Sequence, residues 1–308
     1  MPAPVATTVT PAAAAAVAGL ACPTGGRGWC ATVAAVLEAT AAKPGNVHPG
    51  ASFADLCHDD LVTAAVAIAP VLERAAVQRV GRTVVEAVSA ARAAANTNAN
   101  LGIILLVAPL AAVPDGERLE PHAVDRVLAG LDAADAADVY RGIALAQPGG
   151  MGRVDRDDVA GPPPRDLRAA MRSAASRDQI ARLWADGFGP LFAGPVADLH
   201  AAVAAGAPLL DAIIDCHLRQ LAREPDSLIS RKHGAGPAAA VSAAAAAILR
   251  TDVGERAAAI AAFDASLRSP RRLNPGTTAD IVAAALYILL RTGWLSPRLV
   301  LQPPPGTP

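Results

Sequence analysis

Net charge, aromatic rings, cysteine pairs and long apolar runs are all scarce in this 308-residue chain, and each scarcity removes a class of function. The formal net charge is −1 and no run of Lys or Arg is interleaved with aromatics, so the chain lacks the electrostatic footprint of a nucleic-acid partner. Its four cysteines, Cys22, Cys30, Cys57 and Cys216, form no Cys-x-x-Cys pair and stand at no zinc-finger spacing with His, which points to reduced thiols in the cytoplasm. The histidines make no His-x-x-x-His or His-Glu-x-x-His arrangement, which argues against a zinc hydrolase. The longest apolar run, Leu101 to Val113, is broken by Pro109 and falls short of the roughly 18 residues a membrane span needs. Ala12 to Leu20 is apolar, yet no Lys or Arg precedes it and Pro2, Pro4 and Pro11 interrupt its approach, so an export signal is not expected.

What is present is a generous core: 53% of residues are hydrophobic and 18% charged. With aromatics at only 3% and alanine abundant, helices must approach closely through small side chains. Apolar positions recur at helical spacing over Trp29 to Ala42, Asp59 to Ala69, Val71 to Val80, Arg82 to Ala95, Leu101 to Leu110 and Pro121 to Ala146. The pattern resumes over Arg165 to Asp186, Val196 to Arg223, Pro237 to Arg250, Gly254 to Leu267 and Thr277 to Thr292. Alternating β-branched runs are few. The expected fold is all-α: a flexible extension at 1–27, one multi-helix bundle over 28–298, and a Pro-rich tail at 299–308. Gln147 to Pro164, rich in Gly, Pro and Asp, is expected to be a long functional loop inside that domain.

Short polar islands interrupt the helices: Lys43-Pro44-Gly45-Asn46-Val47, Asn98-Ala99-Asn100-Leu101-Gly102, Pro148-Gly149-Gly150-Met151-Gly152, Asp226 to Lys232, and Asn274 to Asp280. Packing alone does not call for them, because Gly, Asn and Pro cost helix propensity and buried amides need partners. Asn274-Pro275-Gly276-Thr277-Thr278 opens a helix, where exposed N–H groups and the positive dipole end suit phosphate; Thr277 or Thr278 as an ordinary N-cap is the alternative. Lys43, Arg231 and Lys232 sit beside turn residues and suit a pyrophosphate or triphosphate, though surface charge would look the same. Asp55 and Asp59 are four apart and would share a helix face; such a pair can hold Mg²⁺ or act as a base, or simply be solvated with Asp60 at a helix N-terminus. Gly149, Gly150 and Gly152 make either a sharp turn that admits substrate to the backbone or a flexible loop.

Taken in order, the islands resemble the triphosphoribosyl-dephospho-CoA synthase family over about Trp29 to Thr292. The Lys-Pro-Gly motif falls on Lys43, Pro44 and Gly45 with Asp55 after it, the Asn-Thr-x-x-Gly motif on Asn98 to Gly102, and the Pro-Gly-Ser/Thr-x-Ala-Asp motif on Pro275 to Asp280. Asn46-Val47, Asn100-Leu101-Gly102 and Leu228-Ile229-Ser230-Arg231-Lys232 look like the branch of archaea and of bacteria with pterin-linked one-carbon chemistry. The resemblance implies an all-α transferase that moves the 5-triphosphoribosyl group of ATP to the 2′-hydroxyl of dephospho-CoA and releases adenine. It implies ATP as substrate and Mg²⁺ as cofactor. On an oxocarbenium-like path Asp55 and Asp280 are the candidate carboxylates, with Asp55 and Asp59 for the metal. Lys43, Arg231 and Lys232 would neutralise phosphates, and Asn46, Asn98, Asn100 and Asn274 would orient ribose and base. Two alternatives stand: phosphoribosyl transfer to a ribitol-bearing pterin precursor in tetrahydromethanopterin synthesis, and a non-catalytic nucleotide-binding helical protein. Partners are expected to be small-molecule nucleotides, with a second copy of the chain as a candidate for a homodimer.

Overall fold

The computed structural model describes residues 25–95, 97–149 and 157–295; the expected extension up to residue 24, the tail, and Gly150 and Gly152 lie outside them. Among the described residues fourteen helices carry the fold, and no strand forms beyond two isolated bridges, His48 with Ala51 and Phe53 with Leu56. They are α1 (Arg27–Thr40), α2 (His58–Glu73), α3 (Val80–Ala95), α4 (Leu101–Ala111), α5 (Pro121–Ala129), α6 (Ala133–Ala146), α7 (Leu167–Ala174) and α8 (Gln179–Asp186). A turn at Gly189–Leu191 and a π-helical turn at Phe192–Val196 lead into α9 (Ala197–Ala204). Then follow α10 (Leu209–Arg223), α11 (Ser227–His233), α12 (Ala235–Leu249), α13 (Val253–Arg268) and α14 (Gly276–Arg291).

Two helices that are apolar nearly all round, α4 and α14, form the centre: Ile103 to Ala111 and Ile281 to Leu290 are buried throughout. Helices α1, α2, α3 and α6 wrap one side of them. Small residues set the spacing, as composition demanded. A Cβ on Gly81 of α3 would lie 2.4 Å from the Asp135 carbonyl of α6, so only glycine allows that crossing. Trp184, one of the few large rings, is fully buried and donates from Nε1 to the Leu105 carbonyl at 3.0 Å, which satisfies its polar tip. A second, smaller apolar cluster joins α10, α12 and α13 through Leu218, Leu221, Val241, Phe263 and Leu267.

Several expected helices are split or extended. Pro121 to Ala146 breaks at Gly130, and α6 restarts on an Asp132/Asp135 capping box. Asp178 caps α8 by accepting from the Ala181 N–H, dividing Arg165 to Asp186, while α2 runs through Pro70 and ends at Glu73. Asp226 to Lys232, read as an island, is mostly helix α11, with Asp226 as its N-cap. No helix among the described residues is long and apolar enough to cross a membrane.

Candidate active site

A cavity of about 1180 Å³ opens between the C-terminal end of α1, the start of α4, the end of α6, helices α7 and α8, and the starts of α11 and α14. That exceeds the roughly 300–1,000 Å³ of a single-ligand pocket and leaves room for two substrates. Helices α4 and α14 both begin on its wall; Asn100 makes no side-chain cap on α4, so the positive dipole end of that helix faces the space, whereas the start of α14 is met by a carboxylate from α11. Asn100 enters α4 in the left-handed region at φ 63°, its amide donating to the Leu61 carbonyl at 3.0 Å.

Asp280 stands on this wall in the second turn of α14. A Cβ on Gly102 would lie 1.9 Å from its Oδ2, so the carboxylate rests directly on the first turn of α4. Desolvation, then the nearby Glu38 and Asp226 carboxylates, push its proton affinity well above the usual carboxylate range; Arg231 opposes this. Asp280 therefore binds a proton more tightly than an ordinary carboxylate, which suits a group that takes one from a hydroxyl. Asp55 differs. It is exposed at the cavity mouth and ion-paired to Arg272, whose hydrogen bond holds it below the ordinary value, and the Arg272 guanidinium lies 4.1 Å from the Phe53 ring centroid. It holds Arg272 in place and makes a poor base.

Sequence placed Lys43 among the phosphate ligands, and the structure corrects this. The side chain is fully buried and off the cavity wall, and its ammonium bonds Glu38 Oε1 at 2.8 Å, the Glu38 carbonyl, and the Ala41 carbonyl at 3.2 Å. An ammonium has three donors, and all three are used. Gly45, at φ 77°, is likewise structural: its N–H donates to Asp264 at 2.7 Å, and a Cβ would lie 2.8 Å from the Leu273 carbonyl. This close approach joins the Lys43 loop to the loop before α14, and Asn46 completes it by donating to Asn274 Oδ1 at 2.7 Å. Both asparagines line the cavity, as do Asn98 and Asn100.

Thr277 and Thr278 are not N-caps. The cap of α14 is Pro275, and Asp226, fully buried, accepts from the Thr278 N–H and hydroxyl, both at 2.8 Å, while capping α11 through Ile229. Thr278 is off the wall; Thr277 lines it and accepts from Ser227 Oγ at 3.2 Å. Gly276 packs against Leu228. Arg231 lines the cavity but is paired to Asp178 at 2.7 Å; Lys232, beside Gly149, lines it with no carboxylate partner among the described residues. Arg177, which the sequence reading missed, lines the wall equally free of a carboxylate partner among the described residues. Glu38 was also missed as a site residue, while Gly102 was named only as part of its motif.

The expected Mg²⁺ pair does not fit. Asp55 lies in a turn before α2, so it shares no helix face with Asp59, whose side chain is 96% exposed and off the cavity wall. Among the described residues no three His, Cys, Asp or Glu side chains converge on a cation position.

Fold and cavity together define an all-helical enzyme with a pocket for small molecules. Residues 26–298 match the model of the family described as ATP:dephospho-CoA triphosphoribosyl transferase, and the chain belongs to that transferase family, whose substrates are ATP and dephospho-CoA. In fold it is similar to the crystal structure of a provisionally named triphosphoribosyl-dephospho-CoA synthase from Archaeoglobus fulgidus, with TM-score 0.61 and 24% identity over 75% of this chain and 99% of that one. A search of curated proteins returns no match.

Proposed function

We propose that the cavity brings ATP and the 2′-hydroxyl of dephospho-CoA together, and that Asp280 takes the hydroxyl proton as the oxygen attacks C1′ of the ATP ribose. The C1′–N9 bond breaks, adenine leaves with the bonding pair and takes up a proton, and the triphosphoribosyl group ends on the acceptor. Lys232 and Arg177, cations without carboxylate partners among the described residues, meet phosphates, with the uncapped start of α4 facing the same charge. Asn46, Asn98, Asn100 and Asn274 offer neutral donors and acceptors to ribose and base. The observation that carries this reading is Asp280 itself, a carboxylate set against the first turn of α4 on the wall of a cavity with room for two substrates.

The test is a mass-resolved assay offering ATP or phosphoribosyl pyrophosphate, each with dephospho-CoA and with a ribitol-containing pterin precursor. Adenine and triphosphoribosyl-dephospho-CoA are the expected products. Pyrophosphate released only with the pterin precursor would move the chain to the phosphoribosyl alternative, and no product in any pairing would leave a nucleotide-binding protein.

A further inference from the structure

The cavity has two chemically different sides. Where α4, α11 and α14 begin, its wall carries Asn98, Asn100, Ser227, Asn274, Thr277 and Asp280. Elsewhere α6, α7 and the loop over 157–160 present Tyr140, Ile143, Met171 and Val159, with Leu105 of α4, and all five belong to one apolar cluster. Tyr140, Ile143 and Leu105 keep 7–8% exposure on that wall, whereas the centre of the core is sealed. The Tyr140 hydroxyl already donates to the Asp157 carbonyl at 2.9 Å, so what that side chain still offers is apolar. Helix α6 packs on α3 and α7, and α7 on α8, while α14 packs chiefly on α1, α4 and α10, which sets the apolar side away from Asp280. Apolar surface left open to water costs free energy that a matching ligand recovers.

Charge decides which ligand that is. Asp157 and Asp158 line the loop at this side, and Arg177, in the turn after α7, lies back along that helix with its Nη1 donating to the Ser173 carbonyl at 3.2 Å. One guanidinium beside two acids can meet a diphosphate link, but it leaves no surplus positive charge for a triphosphate. ATP is a flat base and a sugar on a charged chain, and its C1′ has to reach Asp280. Dephospho-CoA, the other substrate of the family, carries beyond its diphosphate a long uncharged arm with geminal methyl groups. We propose that the apolar side is the acceptor subsite: it takes the pantetheine arm of dephospho-CoA, with Ile143 and Met171 as specificity-determining residues. The proposal rests on the reading in which dephospho-CoA is the acceptor. It also answers a problem that reading creates, because ATP has a 2′-hydroxyl of its own. A wall that rewards the arm selects the acceptor that carries it over a second ATP.

The experiment measures by calorimetry the Kd of dephospho-CoA and of ATP, each alone, for wild type, Ile143→Ala and Met171→Gln. The first variant removes apolar volume from the wall; the second keeps side-chain length and helix propensity but makes the contact polar. Each should weaken dephospho-CoA by about tenfold, the scale of a few lost carbon contacts in an apolar pocket, and leave ATP unchanged. An unchanged dephospho-CoA Kd in both variants, or an equal loss for ATP, would overturn the proposal. If neither variant folds, wild type alone decides: pantetheine at millimolar concentration should displace dephospho-CoA and not ATP, and displacement of ATP, or of neither, overturns it. Wild type that binds both substrates yet forms no product would count instead against the transfer reading, since the binding comparison needs no turnover.

Discussion

Asp280 carries a cost as well as a chemistry. In the unfolded chain its carboxyl loses its proton near pH 3.9, whereas in the folded protein it keeps it to well above that. Between those values the folded state binds more protons, so its contribution to stability is full below about pH 4 and is lost as pH rises through the folded value. Asp280→Asn cannot ionise. It should unfold at higher urea than wild type at pH 7–8, with the gap closing toward pH 5, and lose turnover by roughly a hundred- to ten-thousand-fold, the usual worth of a general base. Equal urea midpoints at every pH, or retained turnover, would remove Asp280 from the role. Its candidacy was legible in sequence because Asp280 ends the Pro-Gly-Thr-Thr-Ala-Asp run that carries the family resemblance. Lys43 was misread for a physical reason: a Lys beside Pro-Gly looks accessible, and only tertiary structure shows its donors turned back on α1. Glu38 left a faint signal as the lone charge between Trp29 and Ala42, five residues before that lysine.

Helices α4 and α14 meet at Gly102, and the site depends on how closely they do so. A Cβ 1.9 Å from Asp280 Oδ2 cannot be accommodated, and the carboxylate or the helix must shift. Gly102→Ala should therefore lower kcat/KM by about a hundredfold, the scale of an ångström-sized misplacement of a reacting group, with little change in the far-ultraviolet helical signal. Kinetics equal to wild type would mean that the carboxylate works equally well displaced. Helical periodicity located nearly every element, because apolar faces repeat wherever a helix meets the core. It could not separate α5 from α6 or α7 from α8, since the breaks depend on the capping acids Asp132 and Asp178 inside unbroken apolar patterns. The cap of α14 was out of reach for a related reason: Asp226 serves Thr278 from 52 positions away.

At the scale of the molecule, the two apolar clusters are unequal, and the cavity is tied to the weaker one. Helix α13 buries only Phe263 and Leu267, yet its last turns hold the Lys43 loop: Asp264 accepts from the Gly45 N–H at 2.7 Å and Arg268 donates to the Asn46 carbonyl at 2.6 Å. Few buried contacts make a helix that opens at low free energy. A ligand touching Asn46 and Asn274 draws on that loop and must stabilise the helix that holds it. Amide hydrogen exchange should thus be fast in α13 and slow in the buried part of α14. ATP at a hundred times its Kd should slow α13 by up to about a hundredfold, equivalent to about 2.7 kcal/mol of linkage. Protection confined to α4 and α14, with α13 unchanged, would place the nucleotide away from the asparagine pair and uncouple the small cluster from the site.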